Sequence, residues 1–185
     1  MSLAHSQMLP LGTKAPDFSL PDTVSREMCD LKDNTGSLGT LIMFICNHCP
    51  YVKNIRQQLV TIANDYQQKG ISLIAISSND VENFPEDSPE LMREEARKHG
   101  YNFPYLYDES QVVAKAYGAV CTPDFYIFDK SLELVYRGRL DDSTPGNEKP
   151  LTGNDIRKAL DDMVNGNPVG QEQYPSVGCN IKWKE

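Results

Sequence analysis

Apolar positions along the chain fall into two periods. Leu41-Ile42-Met43-Phe44-Ile45 is a continuous apolar run, the pattern of a strand covered on both faces. Directly beyond it Val52, Ile55, Leu59, Ile62, Ala63 and Tyr66 recur every three or four residues, which predicts a helix with one apolar face closing at Lys69-Gly70. Pro50 fits that helix only in its first turn, where the missing N–H costs no internal bond. Ile71 to Ile76 is a second buried strand. Strand, helix and strand then form a βαβ unit whose parallel crossover is right-handed.

Weaker patterns flank this unit. Phe18–Leu20 and Glu27–Leu31 predict short strands around the turn signal Pro21-Asp22-Thr23. Ser88-Pro89-Glu90 reads as the start of a mostly polar surface helix ending near Gly100, followed by a strand at Phe103–Tyr107 and a short helix at Ser110–Tyr117 stopped by Gly118. Phe125–Phe128 and Leu132–Tyr136 predict an antiparallel pair turning at Asp129-Lys130. Thr152-Gly153-Asn154-Asp155 has the spacing of a capping box opening a helix through Ile156, Ala159, Leu160, Met163 and Val164, with Gly166 as its stop. Residues 167–185 show little periodicity and are expected as a tail packed on a single domain spanning 1–185.

Composition narrows the function classes. The net charge is −8 and the 18 basic residues are scattered, so no basic stripe is offered to nucleic acid or to an anionic membrane. No apolar stretch reaches the length of a signal core or a bilayer span, which leads to the expectation of a cytoplasmic protein. Five cysteines in 185 residues are too few and too unevenly spaced for a disulfide scaffold.

Two of those cysteines carry the chemistry. Cys46-Asn47-His48-Cys49 joins the buried strand to the long helix, where a pair of thiols two residues apart closes into a small disulfide ring and the helix start favours a thiolate. Zinc needs further ligands, and a second close Cys pair is missing; haem attachment needs His where Pro50 stands. No cofactor or metal is expected. Cys46, ahead of the helix and expected to be the more exposed, reads as the attacking thiolate, and Cys49, expected within the first turn, as the resolving thiol. His48 has two readings: a cation favouring the neighbouring thiolate, or a solvated turn residue.

A βαβ half with CxxC at its first strand-to-helix turn, followed by a ββα half, resembles the thioredoxin fold: an α/β architecture with a central mixed sheet flanked by helices, here with an added N-terminal β-hairpin. Gly12-Thr13-Lys14-Ala15-Pro16-Asp17-Phe18 with Leu20 resembles the opening of the redoxin branch, the alkyl hydroperoxide reductase and thiol-specific antioxidant superfamily. Val120-Cys121-Thr122-Pro123 resembles the family's Thr-Pro element, which implies a cis Pro123 packed against the dithiol. Small peroxiredoxin-like thioredoxin-fold proteins resemble the chain further in Cys46-Asn47-His48-Cys49-Pro50-Tyr51-Val52, in Tyr136-Arg137-Gly138 with Asp141-Asp142, and in Ser176-Val177-Gly178-Cys179 with Ile181-Lys182-Trp183. Two departures stand out. Thr40 and Ile45 occupy the places of the thioredoxin buried acid and aromatic residue, and Met43 the place of the peroxiredoxin Thr or Ser.

The resemblance implies thiol–disulfide exchange with protein or small-molecule thiols and disulfides, with a thioredoxin-type protein as a candidate electron donor. Thr122 and Pro123 are then expected to line the groove for an extended partner, the Thr122 backbone being available for strand pairing. Cys121 and Cys179 are candidates for a third redox thiol, expected near one another, beside the reading of both as structural. Cys29 is expected to be structural. Arg137 and Arg139 are expected to be solvated or paired with Asp141 and Asp142. A thiol peroxidase is the first alternative. A metal-binding module using Cys46, Cys49 and His48 is the second, with His5 and His99 as the only other histidines.

Overall fold

The computed structural model describes residues 2–185. Its strands and helices follow in the order β1 (Leu3–His5), β2 (Ser19–Pro21), β3 (Met28–Asp30), β4 (Gly39–Phe44), α1 (Pro50–Tyr66), β5 (Ile71–Ser77), α2 (Pro89–His99) and β6 (Tyr105–Tyr107). The second half continues with α3 (Val112–Ala116), β7 (Cys121–Thr122), β8 (Asp124–Asp129), β9 (Leu134–Gly138), α4 (Asn154–Val164) and β10 (Val177–Asn180).

β4 is central because its apolar run leaves neither face for water. The five-stranded sheet has the order β6-β5-β4-β8-β9, with β4, β5 and β6 parallel and β8 and β9 antiparallel to their neighbours. Leu41, Met43 and Ile45 pack on one side with the apolar face of α1 and with Ile156 and Leu160 of α4. Ile42 and Phe44 pack on the other, with Leu20 of the β2–β3 hairpin and Val113 and Ala114 of α3. Burying one such aliphatic side chain contributes roughly 1.5–3 kcal/mol, so a one-residue slip of β4 would exchange two whole layers. The fold is therefore a central mixed sheet flanked by helices, with the expected N-terminal hairpin pairing Ser19–Pro21 against Met28–Asp30.

Four local expectations are corrected. The tail is a strand: β10 lies between β1 and β7 in a second, antiparallel sheet, with Cys179 opposite both Leu3 and Thr122. Its short apolar alternation was masked in the sequence by Gly178 and Asn180, and β1, which carries His5, lacks any local signal. The capping box does not form. Gly153 holds the N-cap of α4 at φ +70°, and the Thr152 hydroxyl accepts instead from the Asn154 amide. α2 buries Met92 and Ala96 beneath its polar surface. Arg139 pairs with Asp155 at 2.6 Å and Arg137 binds Gln173 and the Leu9 carbonyl, because buried Asp141 is taken by the Thr152 and Gly153 amides. Among the described residues, no helix is long and apolar enough to cross a membrane.

Candidate active site

α1 begins at Pro50, so Cys49 is its N-cap residue rather than part of the first turn, and Cys46 stands in the connection from β4. Both cysteines are buried, Cys46 at 2 % exposure and Cys49 at 0 %, so the expected contrast in accessibility is reduced to a trace. Above them the Thr122–Pro123 peptide is cis. Thr122 touches both sulfurs: its hydroxyl lies 3.4 Å from Cys46 Sγ, and its carbonyl oxygen lies 3.3 Å from Cys49 Sγ.

The two thiols act on each other, and that interaction splits their acidities. Cys49 is held at about 5, first by the Cys46 thiol that donates to it and further by Cys179 and the Val52 amide of the opening helix turn, which outweigh burial. Cys46 is pushed well above the usual thiol value by the same bond and by burial. The pair thus keeps one proton between two sulfurs at neutral pH. The thiolate rests on Cys49, because the N-terminal amides of the helix reach the N-cap residue and not the residue three positions earlier.

One wall of the site is polar and had no sequence signal beyond His48 itself. A short 3₁₀ turn at Pro85–Asp87 places the fully buried Asp87 beside the CxxC loop. Asp87 Oδ1 accepts from the backbone amides of Asn47 (2.8 Å) and His48 (3.2 Å); Oδ2 meets His48 Nδ1 (2.6 Å) and accepts from Asn79 Nδ2 (2.8 Å). Burial opposes this charge, but the bonds from His48, Asn79 and the Asn47 amide prevail and hold the carboxyl below its ordinary range. His48 is correspondingly raised by its bond to Asp87, against the cost of burial. It is no solvated turn residue: its ring stacks on Phe84, and its Nε2 is buried without a hydrogen-bond partner. Asn47 is locked by Tyr105 and the Glu86 carbonyl.

The other wall is the tail. Cys179 Sγ lies 2.9 Å from Cys49 Sγ, and the pairing of β10 with β7 uses the Thr122 edge that was expected to receive a partner strand. Cys121 is opposite Asn180 and Cys179 is opposite Thr122, so the two candidate accessory thiols point to opposite faces of this ribbon. Cys121 is raised by burial and points toward the Pro123 carbonyl at 3.9 Å, away from the dithiol. Cys29 sits in the core beside the N-terminal hairpin, and burial first raises it to about 11.

Cys46, His48 and Asp87 present ligand atoms all within 4.8 Å of one another, the nearest approach to a metal-binding set among the described residues. Both Asp87 oxygens and His48 Nδ1 are committed to hydrogen bonds in that cluster, so an ion there would have to break them. The arrangement serves sulfur chemistry better: a hydrogen-bonded dithiol, a raised histidine and a third thiol.

Comparisons with known proteins agree with the fold and the broad chemistry. A structure of an uncharacterised conserved protein from Geobacillus kaustophilus is 56% identical, covering 100% of this chain and 97% of its own, with a TM-score of 0.98. A hypothetical protein from Sinorhizobium meliloti is 48% identical over 97% of this chain and 98% of its own, with a TM-score of 0.95. The thiol-disulfide oxidoreductase ResA of Bacillus cereus is 22% identical over 71% of each chain. The AhpC/TSA family model matches residues 11–137, which include the CxxC and Thr122-Pro123 and leave out Cys179. The chain therefore belongs to the AhpC/TSA family, in its thioredoxin-like redoxin branch.

Proposed function

We propose that the protein is a thiol–disulfide oxidoreductase acting through Cys46 and Cys49. The observation that carries this reading is the bracketing of the two CxxC sulfurs by one residue, Thr122, through its hydroxyl and its carbonyl. Cys46 keeps the residual exposure of the pair and attacks a substrate disulfide, its proton passing to the Cys49 thiolate that already accepts it. The new Cys46–substrate bond forms as the substrate S–S bond breaks, and the departing thiolate takes a proton. Raised His48, on the Asp87 side of the CxxC loop, is placed to supply that proton. Cys49, whose thiolate is still favoured by Cys179 and the Val52 amide, gives up its proton and attacks Cys46 Sγ, releasing the second substrate thiol and leaving a Cys46–Cys49 disulfide. Electrons return from a thiol donor, with a thioredoxin-type protein fitting that role.

Single serine variants test the assignment. Cys46→Ser is expected to abolish reduction of a model disulfide, and Cys49→Ser to accumulate a mixed disulfide on Cys46 detectable by intact mass. Should Cys46→Ser keep its activity, the proposed attacker is the wrong sulfur.

A thiol peroxidase is the second reading, favoured by one feature of the site. Buried Met43 offers no hydroxyl to peroxide, but the Thr122 hydroxyl reaches Cys46 from the other side. A thioether core position and a Cys46 thiol raised by Cys49 and by burial both argue for slow peroxide reduction. Stopped-flow oxidation is expected to give a rate constant below roughly 10⁵ M⁻¹s⁻¹, the lower range of efficient enzymes. A faster reaction would move the assignment to the peroxidase.

A further inference from the structure

We infer that Cys179 is the third member of the redox centre and that its disulfide with Cys49 is the stored oxidised state of the protein. The inference rests on the dithiol reading above and extends it to the C-terminal strand, outside the residues matched by the family model.

The geometry comes first. Cys179 Sγ and Cys49 Sγ are 2.9 Å apart, about 0.9 Å more than a disulfide bond of roughly 2.05 Å, so bond formation needs only a small side-chain adjustment. The tail is held on both sides of this thiol. Upstream, the Ser176 hydroxyl donates to the Pro123 carbonyl at 2.6 Å, and Ser6 and Ser176 exchange bonds through the Ser176 amide and the Ser6 amide. Downstream, Ile181 is buried, the Lys182 amide donates to Asn79 Oδ1 at 2.8 Å, and the Gln111 side chain and the Asp80 amide both bond the Lys182 carbonyl. Gly178 lies flat over Thr122: a Cβ there would stand 2.0 Å from the Thr122 carbonyl oxygen. A glycine at that position is what lets β10 approach closely enough to bring Cys179 onto the dithiol.

The arrangement has the form of a bound substrate. An extended segment pairs with the residue before the cis proline and presents a sulfur to the CxxC, and the segment belongs to the chain itself. Once substrate reduction has left Cys46–Cys49 oxidised, the Cys179 sulfur attacks Cys49 Sγ. The Cys49–Cys179 bond forms, the Cys46–Cys49 bond breaks, and the Cys179 proton passes to the released Cys46 thiolate. No external electrons enter this step. The oxidising equivalent moves one sulfur inward, and Cys46 is restored as a thiol at the entry side. Two electrons have been given to the substrate disulfide in all, and a donor thiol later returns them.

The full-length reduced protein is treated with glutathione disulfide, quenched with acid, capped with N-ethylmaleimide and digested with trypsin without reduction. The expected product is a cross-link between the peptide Asp33–Lys53 and the peptide Ala159–Lys182, with the maleimide on Cys46. A Cys46–Cys49 bridge inside Asp33–Lys53 with Cys179 capped, or a cross-link with the maleimide on Cys49, overturns the inference while leaving the dithiol reading intact. No bridge at all, together with undiminished disulfide reduction by Cys46→Ser, overturns both. A second variant guards against misfolding as the cause. Cys46→Ser oxidised with diamide is expected to form the Cys49–Cys179 cross-link directly, and Cys46→Ser/Cys179→Ser to form none; equal far-UV circular dichroism of the two proteins shows that the difference is chemical, and absence of the cross-link in folded Cys46→Ser overturns the inference.

Discussion

The dithiol stands between two unlike walls. On the side of the 3₁₀ turn, a buried carboxylate, a raised histidine and an asparagine form a charged, hydrogen-bonded network around the CxxC loop. On the side of the tail, the partners are a hydroxyl, a carbonyl and a neutral thiol presented by strands β7 and β10. The contrast separates two tasks. The charged wall fixes where negative charge is tolerated, because a buried histidine cation lowers the cost of a nearby thiolate and Asp87 lowers the cost of the cation. The neutral wall fixes where sulfur can go, because exchange needs near-linear access of one sulfur to another and no competing charge. Asn79 joins them, donating to Asp87 through Nδ2 and accepting from the Lys182 amide through Oδ1.

Breaking the charged wall at its centre is expected to have the largest effect. Asp87→Ala removes the acceptor of two backbone amides, one imidazole and one carboxamide, all in a buried setting. The expected loss is about 3–5 kcal/mol of unfolding free energy, the range for removing one partner of a buried pair. Urea denaturation at pH 7 measures it. Because the Asp87 carboxyl is depressed in the fold, its contribution is present above the unfolded value near ~3.9 and fades as pH falls through the folded one, so wild type and variant should converge in acid. A loss below about 1 kcal/mol would put this pair in the class of exposed ion pairs and remove the contrast between the walls.

A milder change, His48→Gln, tests charge without emptying the site. His48 is raised first by its bond to Asp87, which favours the cation against the cost of burial, and the thiolate on Cys49 raises it further. Its loss is expected to move the dithiol thiolate midpoint upward from about 5 by up to ~1 unit, which is tenfold in thiolate fraction below the midpoint. The pH dependence of iodoacetamide alkylation reads this directly. The stability linkage has the opposite sign to that of Asp87: a raised histidine contributes fully below its unfolded value near ~6.5, and the contribution is lost as pH rises through the folded value. An unchanged alkylation midpoint would show that the polar wall is structural only.

How much of this was legible follows the same division. The central sheet and α1 were readable because apolar periodicity reports burial, and the CxxC was readable because spacing at a strand-to-helix turn is local. Asp87 was not, since an acid in Pro85-Glu86-Asp87-Ser88-Pro89 looks like an ordinary helix approach and its partners Asn47 and His48 lie 40 and 39 residues earlier. The tail was half legible: Ile181 and Trp183 announced an anchored segment with Cys179 expected near Cys121, but only strand register decides that Cys179 lies opposite Thr122 and faces Cys49. The helix start was placed too early in the expectation, with Cys49 in the first turn instead of at the N-cap, where the amides of α1 reach its sulfur.

The smallest expected effect sharpens the neutral wall. Thr122→Val keeps the shape of the side chain and the backbone pairing with Cys179, and it removes only the hydroxyl 3.4 Å from Cys46 Sγ. That hydroxyl is the contact that favours a thiolate on Cys46, against the Cys49 bond and burial that oppose it. A neutral hydrogen bond contributes about 0.5–1.5 kcal/mol, so disulfide exchange should slow by roughly 2- to 10-fold with little change in stability. Parallel rates with a model disulfide and with hydrogen peroxide decide what the hydroxyl does. Equal slowing of both means that it tunes Cys46 alone. A loss with peroxide much larger than with disulfide would show Thr122 positioning the peroxide oxygen, in the place left without a hydroxyl by Met43.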